Sequence, residues 1–147
     1  MMKTTNDTLF TDFIEAQDTV YPSVLAELTQ GRKRTHWMWF IFPQIAGLGR
    51  STMAQRFALT DVAQAEAYLQ HEVLGARLIA CATLLQRHSD KSALEIFGTP
   101  DNLKLHSSLT LFALAAGKDS IFKQLLQLFF AGDYDANTLR IIQQNQQ

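Results

Sequence analysis

The stretch Trp37-Met38-Trp39-Phe40-Ile41-Phe42 decides whether this fold contains a β-strand. Its bulky apolar residues have high strand propensity and show no periodicity that separates a strand from a helix. A single strand in an otherwise helical chain would leave its backbone hydrogen-bonding groups unpaired. We therefore expect a buried helical turn or short helix, which ends before Pro43.

Apolar residues recur at helical spacing on both sides of this stretch. Helices are predicted to begin at Asp7, Pro22, Thr60, the residues beyond His71, Ser92, Pro100, Ile121 and near Thr138. Gly31 and Gly117 are predicted to end two of them, because glycine readily adopts the conformation that follows a helix. The pattern predicts an all-α single compact domain over residues 1–147, with about seven to nine short helices. Residues 1–6 and 143–147 are expected to be frayed.

Residues 121–130 read Ile-Phe-Lys-Gln-Leu-Leu-Gln-Leu-Phe-Phe and are apolar on most of a helical circumference. Lys123, Gln124 and Gln127 form a narrow polar strip. Such a helix lies either at the centre of a core or at an interface between subunits. We expect the central position, because a domain of several short helices needs one helix around which the others pack.

The composition argues against disordered and membrane-spanning classes of protein. Of the 147 residues, 47% are apolar and 18% are charged, which is typical of a packed globule. Cys81 is the only cysteine, so no disulfide can form within the chain, and its apolar neighbours predict a buried thiol. No signal peptide is evident, and the longest apolar run, residues 37–42, is too short to cross a bilayer. We therefore expect a cytoplasmic protein without a membrane partner.

No acidic residue occurs between Glu27 and Asp61, and both tryptophans lie in this acid-free window. Its basic residues are Arg32, Lys33, Arg34, Arg50 and Arg56. The window is formally +5, whereas the remainder, with 13 − 5 = 8 basic and 14 acidic residues, is formally −6. This pattern predicts a site for a small anionic ligand beside an aromatic wall. Nucleic acid is not expected, because one basic patch on a slightly acidic protein supports only modest, salt-sensitive binding.

The first candidate cluster is the basic segment together with the two tryptophans. Arg34 can fix an anion, an indole can stack on a ring, and His36 can exchange a proton near neutral pH. The alternative is a solvated basic turn followed by tryptophans inserted into the core. Trp37 and Trp39 lie two positions apart and point in different directions on a helix, so we expect one in the core and one available.

The second candidate cluster is Gly47-Leu48-Gly49-Arg50-Ser51, which precedes a short helical pattern. Its glycines allow backbone N–H groups to converge, and Ser51 can cap the helix. Arg50 can form two hydrogen bonds to a phosphate or carboxylate. The spacing matches neither a dinucleotide fingerprint nor a P-loop, and an ordinary turn before a capped helix is the alternative interpretation.

The third candidate cluster lies in residues 100–110, where Lys104, Ser107 and Ser108 share a helical face. Lys104 with Ser108 could complete an anion pocket. Alternatively, the two serines allow close packing of helices and Lys104 pairs with Asp101. Asp101 and His36 are the candidate acid–base groups, and Glu27 is the other nearby carboxylate. Neither a metal nor a cofactor is predicted, because the histidines lack metal-ligand spacing and a second cysteine is missing.

Several motifs of the chain resemble one uncharacterised bacterial family. They include Gly31-Arg32-Lys33-Arg34-Thr35-His36-Trp37-Met38-Trp39-Phe40-Ile41-Phe42-Pro43-Gln44, Ile96-Phe97-Gly98-Thr99-Pro100-Asp101 and Lys104-Leu105-His106-Ser107-Ser108-Leu109. This is family 1810 of the domains of unknown function, some of whose members are labelled calpastatin. The resemblance spans nearly the whole chain and implies a mainly α-helical single domain without an established activity. The calpastatin label does not suit this chain, because that inhibitor is disordered and this composition requires a packed core.

A fainter similarity is to helical NADAR-type domains, which are linked to ADP-ribose and nucleotide N-glycoside chemistry. The motifs do not align residue by residue, so the similarity implies only a nucleotide-like or sugar-phosphate-like ligand. Whether the protein is an enzyme stays open; if it is, we expect hydrolysis of an N-glycoside or phosphate ester. The alternative is a non-enzymatic or self-associating interaction module, as a monomer or homodimer. The predicted ligand contacts are Arg34, Trp37, Trp39, Gln44, Arg50, Ser51, Lys104 and Ser108.

Overall fold

Nine α-helices and no β-strand make up the described part of the chain, residues 5–146 of a computed structural model. In chain order they are α1 Thr5–Gln30, α2 Met38–Ile41, α3 Thr52–Arg56, α4 Val62–Gln70, α5 Leu74–Gln86, α6 Ala93–Phe97, α7 Asp101–Ala116, α8 Ile121–Phe130 and α9 Ala136–Asn145. The prediction of an all-α single domain is confirmed. The fraying predicted for residues 1–4 and 147 lies outside the described residues, and α9 runs further toward the end of the chain than expected.

The predicted helix start at Pro22 is wrong, because α1 is one continuous helix that contains this proline. A proline inside a helix removes one backbone hydrogen bond and introduces a steric clash, which here falls on an exposed position. Phe13 before it and Val24 and Leu28 after it are fully buried on the same helix. The shared packing of this face against α4 and α5 therefore outweighs the local preference of proline.

The central helix of the domain is α7 and not α8, which corrects the expectation for residues 121–130. Helix α7 packs against α4, α6, α8 and α9, and seven consecutive residues of it, 107–113, are buried. Helix α8 buries Phe122, Leu125 and Leu126 but leaves Leu128 39% exposed. Three of the buried α7 residues are hydroxyl residues, whose polarity conceals the central position of α7 in the sequence.

The aromatic stretch forms a short helix that ends before Pro43, as predicted. Helix α2 packs against α1 and α5, and the Phe42 backbone amide donates a hydrogen bond to the Met38 carbonyl at 3.0 Å. Met38, Ile41 and Phe42 are buried, while Trp39 is only partly buried. The helix therefore places Trp39 at the edge of the core, where part of its surface is accessible.

Local capping signals set the ends of several helices. Ser92 and Glu95 form the predicted capping box of α6, with hydrogen bonds of 3.0 and 2.9 Å. Helix α4 is capped by Asp61, one residue after the predicted Thr60, through a 2.8 Å hydrogen bond from the Gln64 amide. Gly117 follows α7 with a φ of 97°, a conformation that favours glycine.

Cys81 is fully buried on α5. This burial raises the pKa of its thiol to about 12, and the nearby Arg77 only partly offsets the effect. The thiol therefore behaves as a small core group, as its apolar neighbours predict. Along residues 5–146, no helix combines the length and apolar character needed to span a membrane.

Candidate functional site

Glu27, near the end of α1, organises the basic turn, residues 31–37. Its Oε1 atom accepts hydrogen bonds from the backbone amides of Arg34 and Thr35, at 2.6 and 3.0 Å, and from the Trp37 indole at 3.0 Å. Its Oε2 atom accepts a hydrogen bond of 2.6 Å from the Thr35 hydroxyl. Four donors of this turn, two backbone amides, a hydroxyl and an indole N–H, are thus taken by the protein's own carboxylate.

The hydrogen bonds to Glu27 also stabilise its charge. Burial acts to raise the pKa of this carboxyl, but the bonds from the Thr35 hydroxyl, the two backbone amides and the Trp37 indole outweigh it. The net result lowers the pKa from 4.5 to about 2. Glu27 is therefore negatively charged at neutral pH, and this charge stabilises the basic turn.

Lys33 ties the basic turn to the start of α7. Its ammonium group lies 2.8 Å from an Asp101 carboxylate oxygen and donates a 2.6 Å hydrogen bond to the Thr35 carbonyl. It also lies 5.0 Å from the ring centre of Trp37, and its side chain is only 7% exposed. Glu27 and Asp101, which lie outside the acid-free window in sequence, therefore neutralise part of it in the fold.

Trp37 is a core residue of this turn. It has no exposed surface, packs against Phe42 and Phe97, and donates its indole N–H to Glu27. A ligand cannot reach it without opening the core. Trp37 therefore fits the second interpretation of the first cluster, the one in which a tryptophan is inserted into the core.

A second lysine and the second tryptophan meet at a narrow cleft. The Lys104 ammonium lies 5.1 Å from the ring centre of Trp39 and 3.7 Å from the other Asp101 carboxylate oxygen. The residues that line this Trp39 cleft are Met38, Trp39, Phe42, Gln44, Ala54, Phe57 and Lys104. Its volume of about 10 Å³ is enough for roughly one water molecule or one oxygen atom of a ligand.

Two residues that line the Trp39 cleft carry hydrogen-bond donors without an acceptor among residues 5–146. The Trp39 indole nitrogen is buried without a partner. The Lys104 ammonium, on a side chain 25% exposed, has only the long contact to Asp101, which exceeds a hydrogen-bond distance. Because buried polar groups are normally hydrogen-bonded, this pair of donors is suited to an oxygen acceptor brought by a ligand.

Ser108 lies one helical turn beyond Lys104 on α7 and is fully buried. Its hydroxyl has no hydrogen-bond partner in the described part of the chain, and it is outside the set of residues that line the Trp39 cleft. The neighbouring Ser107 differs, because its hydroxyl lies 3.2 Å from both the Leu103 carbonyl and an Asp135 carboxylate oxygen, either of which can accept its one proton. Close packing of α7 explains the burial of both serines, but only Ser107 has a hydrogen-bond partner within residues 5–146.

The remaining predicted contacts are spread over the surface. Arg34, His36, Arg50 and Ser51 are exposed, and none of them lines the Trp39 cleft. The Ser51 hydroxyl accepts a 3.1 Å hydrogen bond from the Ala54 amide and so caps α3. The structure therefore brings together only a subset of the predicted residues, namely Trp39, Gln44, Lys104 and Asp101.

Glu27 was predicted only as a nearby acid, and Ala54 and Phe57 were not predicted as walls of the cleft. The position of Glu27 as the last acidic residue before the window was a usable signal for its role at the basic turn. Ala54 and Phe57 carry no such signal. Within residues 5–146, no three His, Cys, Asp or Glu side chains lie close enough together to hold a metal ion.

Comparison with known proteins identifies the family to which the chain belongs. The sequence matches the family described as "Protein of unknown function (DUF1810)" over residues 8–142. The fold is similar to the crystal structure of the conserved hypothetical protein Rv1873 from Mycobacterium tuberculosis, with a TM-score of 0.88 and 47% sequence identity over 90% of this chain and 95% of that one. A search of functionally curated proteins gives no significant match. The chain therefore belongs to the DUF1810 family of proteins of unknown function.

Proposed function

We propose that this protein is a cytoplasmic domain that binds a small anionic ligand at the Trp39 cleft. One observation supports the proposal: Trp39 and Lys104 line the same cleft, and neither the Trp39 indole N–H nor the Lys104 ammonium has a hydrogen-bond acceptor from residues 5–146. Both groups are donors, so the group they suit is an oxygen that carries negative charge. Gln44 adds an amide at the wall of the cleft, which can donate or accept.

The small volume of the cleft defines how a larger ligand would bind. The cleft has room for only one oxygen atom of the ligand, so the ring of a nucleotide or sugar phosphate would lie outside, against the accessible part of Trp39. The Lys104 stem is flexible, and its ammonium can follow the incoming oxygen. Arg50 and Ser51, in the exposed segment next to Ala54, are the proposed contacts to the outer part of the ligand.

Hydrolysis of the ligand, as an N-glycoside or phosphate ester, is the proposed reaction if the protein is an enzyme. Asp101 is the better candidate for the acid–base group, because its carboxylate lies 3.7 Å from Lys104 at the cleft. His36 is exposed on the basic turn and would need to approach the ligand from outside. An acid–base group must lie within reach of the reacting atom.

Thermal-shift measurements with nucleotides, ADP-ribose and sugar phosphates at millimolar concentration test the proposal. A ligand that binds the native state raises the Tm, so at least one compound should stabilise the wild-type protein. Lys104→Met should abolish this stabilisation. Lys118→Met is the matched control, since it removes the same charge at an exposed position beyond α7 and should leave the stabilisation intact. Absence of stabilisation by every compound contradicts the proposal.

A non-enzymatic interaction module is the second candidate function, and an apolar groove favours it. The groove has a volume of about 550 Å³ and lies between α4, α5, α7 and α8. Its apolar lining residues are Leu69, Ile79, Ala115, Ala116, Ile121 and Phe122. Ile79 is 45% exposed and offers accessible apolar surface to a partner at this groove. Light scattering of the wild type and of Ile79→Glu tests self-association through this groove. If the groove mediates self-association, the wild type should be a dimer and Ile79→Glu a monomer.

A further inference from the structure

We infer that residues 47–58, the segment that carries α3, form a flap that closes over a ligand bound at the Trp39 cleft. The inference rests on the proposed function and adds the way in which the ligand is held. It depends on two features of this segment: its loose attachment to the rest of the domain, and an arginine, Arg50, that has no partner in the fold.

The base of the flap is firmly fixed. The Ala46 amide donates a 2.7 Å hydrogen bond to the Leu59 carbonyl, and the Leu59 amide donates a 3.0 Å hydrogen bond to the Gln44 carbonyl. These bonds accompany an isolated parallel bridge between Ile45 and Leu59, both of which are buried. The two ends of the flap are therefore held side by side, and movement is confined to the residues between them.

The flap has no polar attachment to the body of the domain. Within residues 5–146, no hydrogen bond or ion pair joins residues 47–58 to the rest of the chain. Its hydrogen bonds are internal, such as the 3.2 Å bond that the Gln55 side-chain amide donates to the Arg50 carbonyl. The flap can therefore move without breaking a polar contact to another segment.

One side chain anchors the flap in the core. Phe57 is buried, and its ring centre lies 5.2 and 4.9 Å from those of Phe13 and Phe40. Leu48 and Met53 are only partly buried, and α3 buries none of its own residues. A segment with so few buried contacts opens at a low cost in free energy. The flap can thus pivot about Phe57 while the core stays intact.

The flap moves as one body, and its position sets the size of the cleft. A Cβ atom added to Gly49 would collide with the Cβ atom of Ala54, so the loop before α3 packs directly against the helix. Ala54 also forms one wall of the Trp39 cleft, whose volume is about 10 Å³. Outward movement of Ala54 widens the cleft, and its return encloses the group that the cleft holds.

Arg50 allows a ligand to hold the flap closed. Its side chain is exposed, does not line the cleft, and has no hydrogen-bond or ion-pair partner in the described part of the chain. The other arginine of the flap, Arg56, is engaged, since its guanidinium lies 4.8 Å from the ring centre of Phe57. A ligand shifts a conformational equilibrium only when it binds one state more tightly than the other. A charge-assisted hydrogen bond from Arg50 to a phosphate supplies this difference, because it forms as the flap approaches the ligand.

Pulsed EPR with two nitroxide labels measures the position of the flap. The labels are attached through Thr52→Cys on α3 and Glu15→Cys on α1, both at exposed positions, while the native Cys81 is buried. The probe is ADP at millimolar concentration, which offers a ring to Trp39 and phosphates to Arg50. We expect ADP to narrow the distribution of distances and to shift its mean by more than about 2 Å, as in other loop closures. A second pair of labels, at Glu15→Cys and Ser89→Cys, lies outside the flap and should keep its distance.

Arg50→Gln should weaken the binding of ADP by about tenfold or more, the usual effect of losing a hydrogen bond to a charged group. The same substitution should abolish the change of distance caused by ADP. Arg56→Gln is the matched control: it removes the same charge from the same flap, at a side chain already engaged with Phe57, and should leave the affinity close to that of the wild type. The indole N–H resonance of Trp39, identified by its loss in Trp39→Phe, measures the affinity in NMR titrations.

The possible outcomes separate the flap from the anion site. If ADP shifts the Trp39 resonance but not the distance between the labels, the flap is overturned and the anion site stands. Equal weakening by Arg50→Gln and Arg56→Gln overturns the inference as well. If ADP leaves the Trp39 resonance unshifted, the anion site fails for nucleotides and the flap fails with it. A change of distance that occurs in the wild type and is lost in Arg50→Gln supports the inference.

Discussion

The two lysine–tryptophan pairs of this protein have similar geometry and different surroundings. The Lys33 ammonium lies 5.0 Å from the Trp37 ring centre, and the Lys104 ammonium lies 5.1 Å from that of Trp39. Both lysines approach the same carboxylate, that of Asp101. By residue type and spacing alone, the two pairs look equivalent.

They differ in the acceptors around them. At the first pair, the indole donates to Glu27 and the lysine to the Thr35 carbonyl. At the second pair, the corresponding donors of Trp39 and Lys104 find no acceptor within the described range of the chain. A basic aromatic segment can therefore stabilise the fold or bind a ligand, and the acceptors supplied by the rest of the chain decide between these two roles.

Removal of Glu27 should destabilise the surroundings of the first pair, Lys33 and Trp37, more than any other change. Glu27→Ala leaves two backbone amides, a hydroxyl and an indole N–H without their acceptor. We expect a loss of about 3–5 kcal/mol in the free energy of unfolding, as for other broken buried charge networks. Urea denaturation at pH 7 measures it. Glu15→Ala, at an exposed position of the same helix, is the control and should stay within about 0.5 kcal/mol of the wild type.

Substitution of each tryptophan by phenylalanine compares the two pairs directly. Trp37→Phe removes buried volume and one hydrogen bond to Glu27, and should lower the free energy of unfolding by about 2–4 kcal/mol. Trp39→Phe removes an indole N–H that makes no such bond, and should change it by less than about 1 kcal/mol. Equal losses in the two variants would contradict this difference between the two pairs.

Acid should lower the free energy of unfolding by protonating Glu27 beside the first pair, Lys33 and Trp37. Its folded-state pKa of about 2 lies below the ordinary 4.5, so its contribution is present in full above pH 4.5 and is lost as the pH falls towards 2. The contribution is on the order of 3 kcal/mol, because the pKa falls from 4.5 to about 2 and each pKa unit corresponds to about 1.4 kcal/mol. Urea midpoints of the wild type and Glu27→Gln, measured from pH 7 to pH 2.5, should converge over this range. A constant difference between the two proteins contradicts the assignment.

Replacement of the lysines should give the smallest effects on stability. Lys33→Met removes a nearly buried partner of Asp101 and should cost about 1–2 kcal/mol. Lys104→Met removes a loosely paired ammonium and should cost less than about 0.5 kcal/mol. Thermal unfolding at pH 7 compares the two. A larger loss for Lys104→Met would indicate that this lysine serves the fold and not a ligand.

Local signals predicted much of the helical framework. The Ser92–Glu95 capping box and the glycine after α7 act over a few residues, so the sequence alone reveals them. Pro22 and the central position of α7 were beyond such reasoning, because both depend on which helices pack against them. Local preferences decide where most helices end, whereas packing between distant segments decides which helix is central.

The candidate site was predictable only in part, for the same reason. The two-residue spacing of Trp37 and Trp39 predicted that one would be buried and one accessible, and the structure divides them in this way. The Trp39 cleft, however, requires Lys104 to meet α2 across more than sixty residues of chain. Periodicity carries no information about that contact. It also could not show that Glu27 would accept hydrogen bonds from two backbone amides, a hydroxyl and an indole N–H of the basic turn.

The burial of Cys81 has a practical consequence for spectroscopy. A thiol this inaccessible and this hard to ionise should not react with maleimides or iodoacetamides while the protein is folded. Because the chain has no other native cysteine, one introduced at an exposed position such as Arg50 would carry a dye or spin label alone. The wild-type background thus needs no cysteine replacement before single-site labelling beside the cleft.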